Sequence, residues 1–253
     1  PDGTKVMLDR EMDRALEEGG RNSGDTLNYT EVASGRVQDS CEIYHTLRVP
    51  RGGEYTLVLA DGTTVYLNAE SELRFPKQFR GKNRKVYLTG EGYFDVQRNE
   101  KQPFIVEAQQ VEVRVLGTSF GVRAYTKEEN VLTTLIQGRV NVEADGQQVE
   151  LNPGQQADFN RGNDRLTVAE VDVEQYVGWK DGRLVFDNKP LEFILEELGR
   201  WYSFDVFYTN KELKEIPYSL NIKKHEDIAH VLKFIERTGK VKFEVNKNTI
   251  IVK

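Results

Sequence analysis

Apolar and polar residues alternate through the middle of the chain. Tyr55, Leu57 and Leu59 take turns with polar partners, as do Val111, Val113 and Val115, and then Val131, Thr133 and Leu135. A period of two sends successive side chains to opposite faces, the signature of half-buried strands. Between these runs stand Asp61-Gly62, Arg80-Gly81, Asp145-Gly146 and Asn152-Pro153-Gly154, all residues that favour turns. No window before residue 170 holds a convincing helical period. From Tyr55 to Phe159 the pattern predicts an all-β domain of about a dozen short strands, antiparallel or solenoid-like.

The period changes after Trp179. Leu191, Ile194, Leu195 and Leu198 lie at helical spacing, so Pro190 to about Trp201 is an amphipathic helix with proline at its start. Ile228, Val231, Leu232 and Ile235 repeat the pattern 37 residues on, and Gly239 stands where a C-terminal cap belongs. The flanking strands keep the same offset: Phe204, Val206 and Tyr208 correspond to Val241, Phe243 and Val245. Two tandem β-α-β units follow from this, with Asn248 to Val252 as a last strand and Val206 and Phe243 as matching core positions. The expected organisation is a segment 1–45, a β domain 46–172, a junction 173–181 and a small α+β domain 182–253.

The segment 1–45 is polar and rich in turn formers, as in Glu18-Gly19-Gly20-Arg21-Asn22-Ser23-Gly24-Asp25. Within it, Asp2-Gly3-Thr4-Lys5-Val6-Met7-Leu8-Asp9 echoes Asp61-Gly62-Thr63-Thr64-Val65-Tyr66-Leu67-Asn68. The echo implies that this stretch pairs as a strand.

Composition narrows the function. The 253 residues are 38% hydrophobic and 30% charged, enough apolar surface for packed cores. A net charge of −6 argues against nucleic acid as a main partner. The single cysteine, Cys41, excludes an intramolecular disulfide and any metal site built on paired cysteines. The longest apolar runs, such as Leu57-Val58-Leu59-Ala60, fall far short of the ~20 residues that span a bilayer. The chain opens at Pro1-Asp2-Gly3 without an initiator methionine or signal-peptide pattern, and reads as a soluble fragment or processed product.

Candidate chemistry finds no context. Gly117-Thr118-Ser119-Phe120-Gly121 matches the G-x-S-x-G elbow of serine hydrolases, which needs a strand turning into a helix. Here Val122-Arg123-Ala124-Tyr125 continues with period two, and a hairpin turn is expected instead. Gly90-Glu91-Gly92 begins like a dinucleotide loop, but no third glycine follows and Tyr93-Phe94-Asp95-Val96 reads as a strand; a glycine-rich turn is expected. His225 and His230 are five apart, off one helical face, and Cys41 and His45 have no third ligand nearby, so no metal site is expected. Asn28-Tyr29-Thr30 fits a glycosylation sequon. No catalytic, cofactor-binding or metal residues are assigned, and partner-binding residues stay open.

One series of motifs does stand out. Thr46-Leu47-Arg48-Val49-Pro50-Arg51-Gly52-Gly53-Glu54-Tyr55 leads into LVLADGTTVYLN (Leu57 to Asn68) and then Ala69-Glu70-Ser71-Glu72-Leu73-Arg74-Phe75-Pro76. VYLTGEGYFDV (Val86 to Val96), Pro103-Phe104-Ile105-Val106 and VLGTSFGV (Val115 to Val122) follow in order. This series resembles the periplasmic domain of FecR-type anti-sigma factors of the Bacteroides-like branch. The α+β unit is similar to the short N-terminal domains of secretins and TonB-dependent receptors. Departures include His45, Gly92 and Gly121, at turn or strand positions, and the absence of the family's sigma-binding segment and membrane helix. The opening DGTKVMLD resembles the first post-membrane segment of these proteins.

The resemblance implies a non-enzymatic periplasmic sensor half of a single-pass inner-membrane protein. Its partners would be the signalling domain of an outer-membrane TonB-dependent transporter and, through the cytoplasmic segment, an extracytoplasmic-function sigma factor. The rival readings are a carbohydrate-active or hydrolytic enzyme of β-rich fold, and a structural β-rich adhesin. An enzyme would need a paired acidic or Ser/His set in the turns at one end of the β domain; an adhesin would usually carry longer repeats.

Overall fold

Sixteen strands precede the first α-helix among the described residues. The computed structural model describes residues 5–8, 13–16, 19–30, 42–223 and 226–253. They divide into two units, Pro1–Pro50 with Glu54–Val173, and Arg51–Gly53 with Glu174–Lys253.

In the first unit the strands are β1 (Asp13–Ala15), β2 (Arg21–Ser23), β3 (Thr26–Asn28), β4 (Tyr44–Val49), β5 (Tyr55–Val58), β6 (Thr64–Leu67), β7 (Ser71–Pro76) and β8 (Arg84–Asp95). They continue with β9 (Phe104–Ala108), β10 (Val111–Val115), β11 (Ser119–Ala124), β12 (Asn130–Gln137), β13 (Val140–Ala144), β14 (Gln147–Leu151), β15 (Gln155–Asn160) and β16 (Arg165–Glu170). One arm of the sheet runs β1-β2-β3-β5-β6-β8-β11-β12-β15-β16, and a second joins β4, β7, β8, β9, β10, β13 and β14. Pairing is antiparallel except at β3–β5 and β8–β9. The two arms share one apolar core, to which every strand from β3 to β15 contributes buried side chains.

β8 belongs to both arms. Leu88 lies opposite Leu73 in one, and Phe94 lies between Val65 and Phe120 in the other. The change-over falls at Gly90, whose φ of +95° favours glycine. A Cβ there would lie 2.4 Å from Ser71 Oγ and 2.7 Å from its Cα. Gly90-Glu91-Gly92 is therefore the crossover of a long strand, not the turn expected from composition. Phe94 and Phe120 stack at 5.2 Å with rings 14° apart, both fully buried. Each contributes roughly 1.5–3 kcal/mol by leaving water.

Gly117 to Gly121 departs from expectation as well. β10 pairs with β9 and β13, and β11 with β8 and β12, so the segment passes between the arms rather than closing a hairpin. The expected turns at Gly62, Gly146 and Gly154 all carry positive φ. Of the N-terminal echo, Lys5–Leu8 form no strand and Met7 is 87% exposed, while Asp2–Thr4 and Asp9 lie outside the described residues. What joins the segment before residue 45 to the sheet is β3, parallel to β5.

The second unit opens with α1 (Glu174–Val177) and a 3-10 turn at Gly178–Asp181. It continues with β17 (Arg183–Pro190), α2 (Leu191–Tyr202), β18 (Asp205–Tyr208), a 3-10 turn at Lys211–Glu215, β19 (Pro217–Lys223), α3 (Ile228–Glu236), β20 (Phe243–Asn246) and β21 (Thr249–Val252). α2 buries Leu191, Ile194, Leu195 and Leu198 completely, with Glu192 at its positive end and Arg200 at its negative end. α3 starts at Asp227, whose carboxylate accepts from the Ala229 N–H at 2.9 Å. It buries Val231, Leu232 and Ile235, and Gly239 beyond its end has φ +74°.

The strand pairing crosses between the two repeats. β17 pairs antiparallel with β19, the first strand of each repeat, while β18 and β20 flank β21 in the order β18-β21-β20. Each helix thus carries the chain from one small sheet to the other. Burial also breaks the expected symmetry. Phe204 and Val241 are buried, but Val206 and Phe243 are only half-buried, and Val245 is 62% exposed. β20 is an outer strand, and its alternation alone does not bring cover to its far end.

Candidate functional site

The sequence-marked positions of the first unit serve structure. Ser119 Oγ donates to Asp95 Oδ1 at 2.9 Å, on a strand and not at a helix start. His45, on β4, meets the Tyr29 hydroxyl through Nδ1 at 2.6 Å, and His230 sits exposed on α3 in the other unit. Neither histidine is bonded to Ser119, so the hydrolase constellation does not form among the described residues. Cys41 and His225 lie outside the described residues. No group of three or more His, Cys, Asp or Glu among the described residues could hold a metal ion. No helix among them is long and apolar enough to cross a membrane.

The buried carboxylates are held by arginines. Arg123 grips Glu128 with two bonds of 2.8 and 2.6 Å and reaches Glu91 at 3.5 Å, while Asn68 Nδ2 donates to Glu91 at 2.7 Å. Arg84 Nη1 donates to Asp61 at 2.7 Å. Charge-assisted bonds of this kind lock turns and strand ends together.

What remains for recognition is surface, and the second unit displays it. In the sheet β18-β21-β20, register puts Phe207 beside Ile251 and Glu244 on one face. That face is open: Phe207 is 60% exposed. Phe234 on α3 is also 60% exposed, pointing away from the buried stripe of its helix. With Val245, 62% exposed, that makes three large apolar residues left in water on so small a unit, and they mark candidate contact surface.

The two outer strands of this sheet differ. Beside β18 lies the turn Lys211–Glu215, whose Lys214 is bonded to Glu192 and stands over the Tyr208 ring at 5.2 Å. Burial, and then the charges of Glu192 and Glu196, push the Tyr208 hydroxyl above its usual range. On the other side, β20 pairs with no strand but β21 among the described residues. Lys240, Lys242 and Lys247 stand exposed along and just beyond it. Sequence periodicity missed this edge because Val245 falls in phase with buried positions. The signal available was the run of lysines, a common feature of sheet edges.

Comparison with known proteins bears on this arrangement. Residues 45–141 match the family described as FecR protein, and residues 183–252 match FecR, C-terminal. Two crystal structures of a protein assigned as an anti-sigma factor from Parabacteroides distasonis ATCC 8503 resemble the chain. Both have a TM-score of 0.77 and 27% identity, covering 83% of this chain and 98% of theirs. None of the curated proteins matches it. The chain belongs to the FecR-type anti-sigma factors. For a FecR-type chain the implied partner is a sigma factor, and the role is regulatory. The match over 183–252 lies within the second unit, across β17 to β21, and the match over 45–141 lies in the first unit apart from Arg51–Gly53.

Proposed function

We propose that this chain is the periplasmic sensor half of a transmembrane anti-sigma factor. It receives a signal from the N-terminal signalling domain of an outer-membrane TonB-dependent transporter. It relays that signal across the inner membrane to an extracytoplasmic-function sigma factor. The observation that carries the reading is the C-terminal FecR match, residues 183–252, with its open sheet face at Phe207 and Ile251 and its outer strand β20, which pairs only with β21 among the described residues. The arginine-tied carboxylates and the strand setting of Ser119 favour an interaction module over a hydrolase.

Affinity would come from two sources. Apolar side chains already exposed lose water on contact, and main-chain groups of an outer strand gain partners. The test is calorimetric titration of the chain with signalling domains from transporters encoded beside its gene. A matched domain should bind, and removal of residues 182–253 should abolish binding while circular dichroism still reports β structure. Undiminished binding by the truncated chain rejects the role given to the second unit.

A further inference from the structure

Main-chain direction along β20 decides which of its groups a partner can reach. Lys242 and Lys253 exchange both backbone bonds at 2.9 Å, so their N–H and C=O groups point at each other across the ladder. In an antiparallel pair such positions alternate. Glu244 and Asn246 therefore face β21 as well, while Phe243 and Val245 direct their main-chain groups outward. The Phe243 N–H is already taken: Glu236 Oε1, at the end of α3, accepts it at 2.7 Å. The outward groups left for a new strand are the Val245 N–H and C=O and the Phe243 C=O.

Side chains along the same edge set a charge requirement. Lys242 and Lys247 bracket the strand, Lys240 precedes it, and none of the three makes an ion pair among the described residues. The one carboxylate within the strand, Glu244, is bonded to Lys253. Glu236 accepts the Phe243 N–H and keeps its negative charge at that end. The edge thus carries a net positive charge, three lysines against Glu236, with Lys247 alone at the far end and Val245 standing 62% exposed between Lys242 and Lys247. By contrast, the β18 side carries Asp205, Glu192 and Glu196 near its strand and is flanked by a turn.

We infer that the outer edge of β20 is a strand-addition site for an acidic extended segment of the partner. The incoming segment alternates: an apolar residue packs beside Val245 on one face, and acidic residues face Lys242 and Lys247 at its ends. Registration is centred on Val245 because Glu236 closes the edge at Phe243. Lysines on an edge strand also serve to keep other strands away. That role asks for no exposed β-branched residue between them, and it predicts no gain on binding.

This inference rests on the partner-binding role proposed above and adds to it the edge, the register and the charge of the ligand. The experiment uses the full chain and a signalling domain that binds it. Val245→Pro removes an outward N–H without breaking the β21 ladder, so the fold should survive. It should weaken binding about tenfold, as should Lys242→Glu combined with Lys247→Glu. Hydrogen exchange at the Val245 amide should slow when the domain is bound. Glu244→Pro, which breaks the ladder itself, serves as the control for unfolding. If both variants bind with unchanged affinity and the Val245 amide exchanges freely in the complex, the edge assignment is wrong although the receptor reading stands. If the wild-type chain binds no signalling domain, a short synthetic peptide of alternating valine and aspartate replaces it, with a lysine counterpart as comparator. Equal binding of the two peptides, or binding of neither, overturns the charge and edge assignments.

Discussion

Arg84 donates through Nη1 to Asp61 Oδ2 at 2.7 Å, and its side chain is only 1% exposed. The guanidinium also donates to the carbonyls of Gln97 and Gln102, at 2.7 and 2.8 Å, and lies 5.4 Å from the Phe104 ring centre. One side chain thereby pins the Asp61 turn to the start of β8 and the segment before β9. Removing one member of a buried pair strands the other charge, so Arg84→Ala should cost about 3–5 kcal/mol in denaturant unfolding. Arg84→Met, apolar and of similar reach, should lose less when combined with Asp61→Asn. A loss below about 1 kcal/mol for the alanine variant would show the pair to be incidental.

Gly90 is where β8 changes arms, and it tolerates no side chain. Gly90→Ala meets both Ser71 Oγ at 2.4 Å and Ser71 Cα at 2.7 Å, at a φ of +95°. Because the second contact is backbone, Ser71→Gly should not rescue it. Unfolding should show a loss of about 2 kcal/mol or more, from strain and overpacking together. Equal midpoints for Gly90→Ala and wild type would refute the crossover geometry.

Asp158 supplies a pH dependence with a definite sign. Burial raises its carboxyl above the usual value, although Asn130 Nδ2 donates to both its oxygens at 2.7 and 2.9 Å and opposes the shift. The folded state therefore holds this proton after the unfolded chain has released it. Stability contributed by Asp158 is present below the unfolded pKa and declines as pH rises through the folded one. Compared with Asp158→Asn, the wild-type chain should lose relative stability from acid towards neutral pH. A difference that grows in the other direction contradicts this assignment.

Ser119→Ala tests the enzymatic rival. With Asp95 as its bonded neighbour and no histidine in that set, Ser119 lacks the base a nucleophile needs. Turnover of ester and glycan substrates should equal the buffer background for both proteins. Hydrolysis that the substitution abolishes would reverse the regulatory reading.

Limited proteolysis bears on the proposed boundaries. The expected division puts the first cut in 173–181 or in the polar segment 18–25; because Val177, Trp179 and Asn22 are buried there, such a cut reports local opening around them. α2 holds four fully buried leucine and isoleucine side chains, so a first cut within 190–202 would count against the division.

Much of the second unit was legible from spacing. The heptad-like apolar stripes mark α2 and α3 within a residue or two, because a helix hides a stripe wherever it packs. Legibility failed at Val245, at Phe243 and at the two glycine motifs. Alternation reports which residues share a face, and a face is buried only where something covers it. Gly90-Glu91-Gly92 looked like a turn because glycine permits turns. In β8 glycine instead permits a strand to pass Ser71 at closer range than any Cβ allows.

By itself, the order of residues determined the β-rich first region, the two amphipathic helices and the family resemblance. Each of these rests on local periodicity or on motifs that neighbouring residues carry within themselves. Tertiary structure alone decided that β8 serves two arms, that β17 pairs with β19 across the repeats, and that β20 is left outermost. Those outcomes depend on which strands meet over long separations, where hydrogen-bond register and competition for the core choose among many locally equivalent pairings. The exposed edge at Val245, closed at one end by Glu236, is a product of that choice and has no local signature.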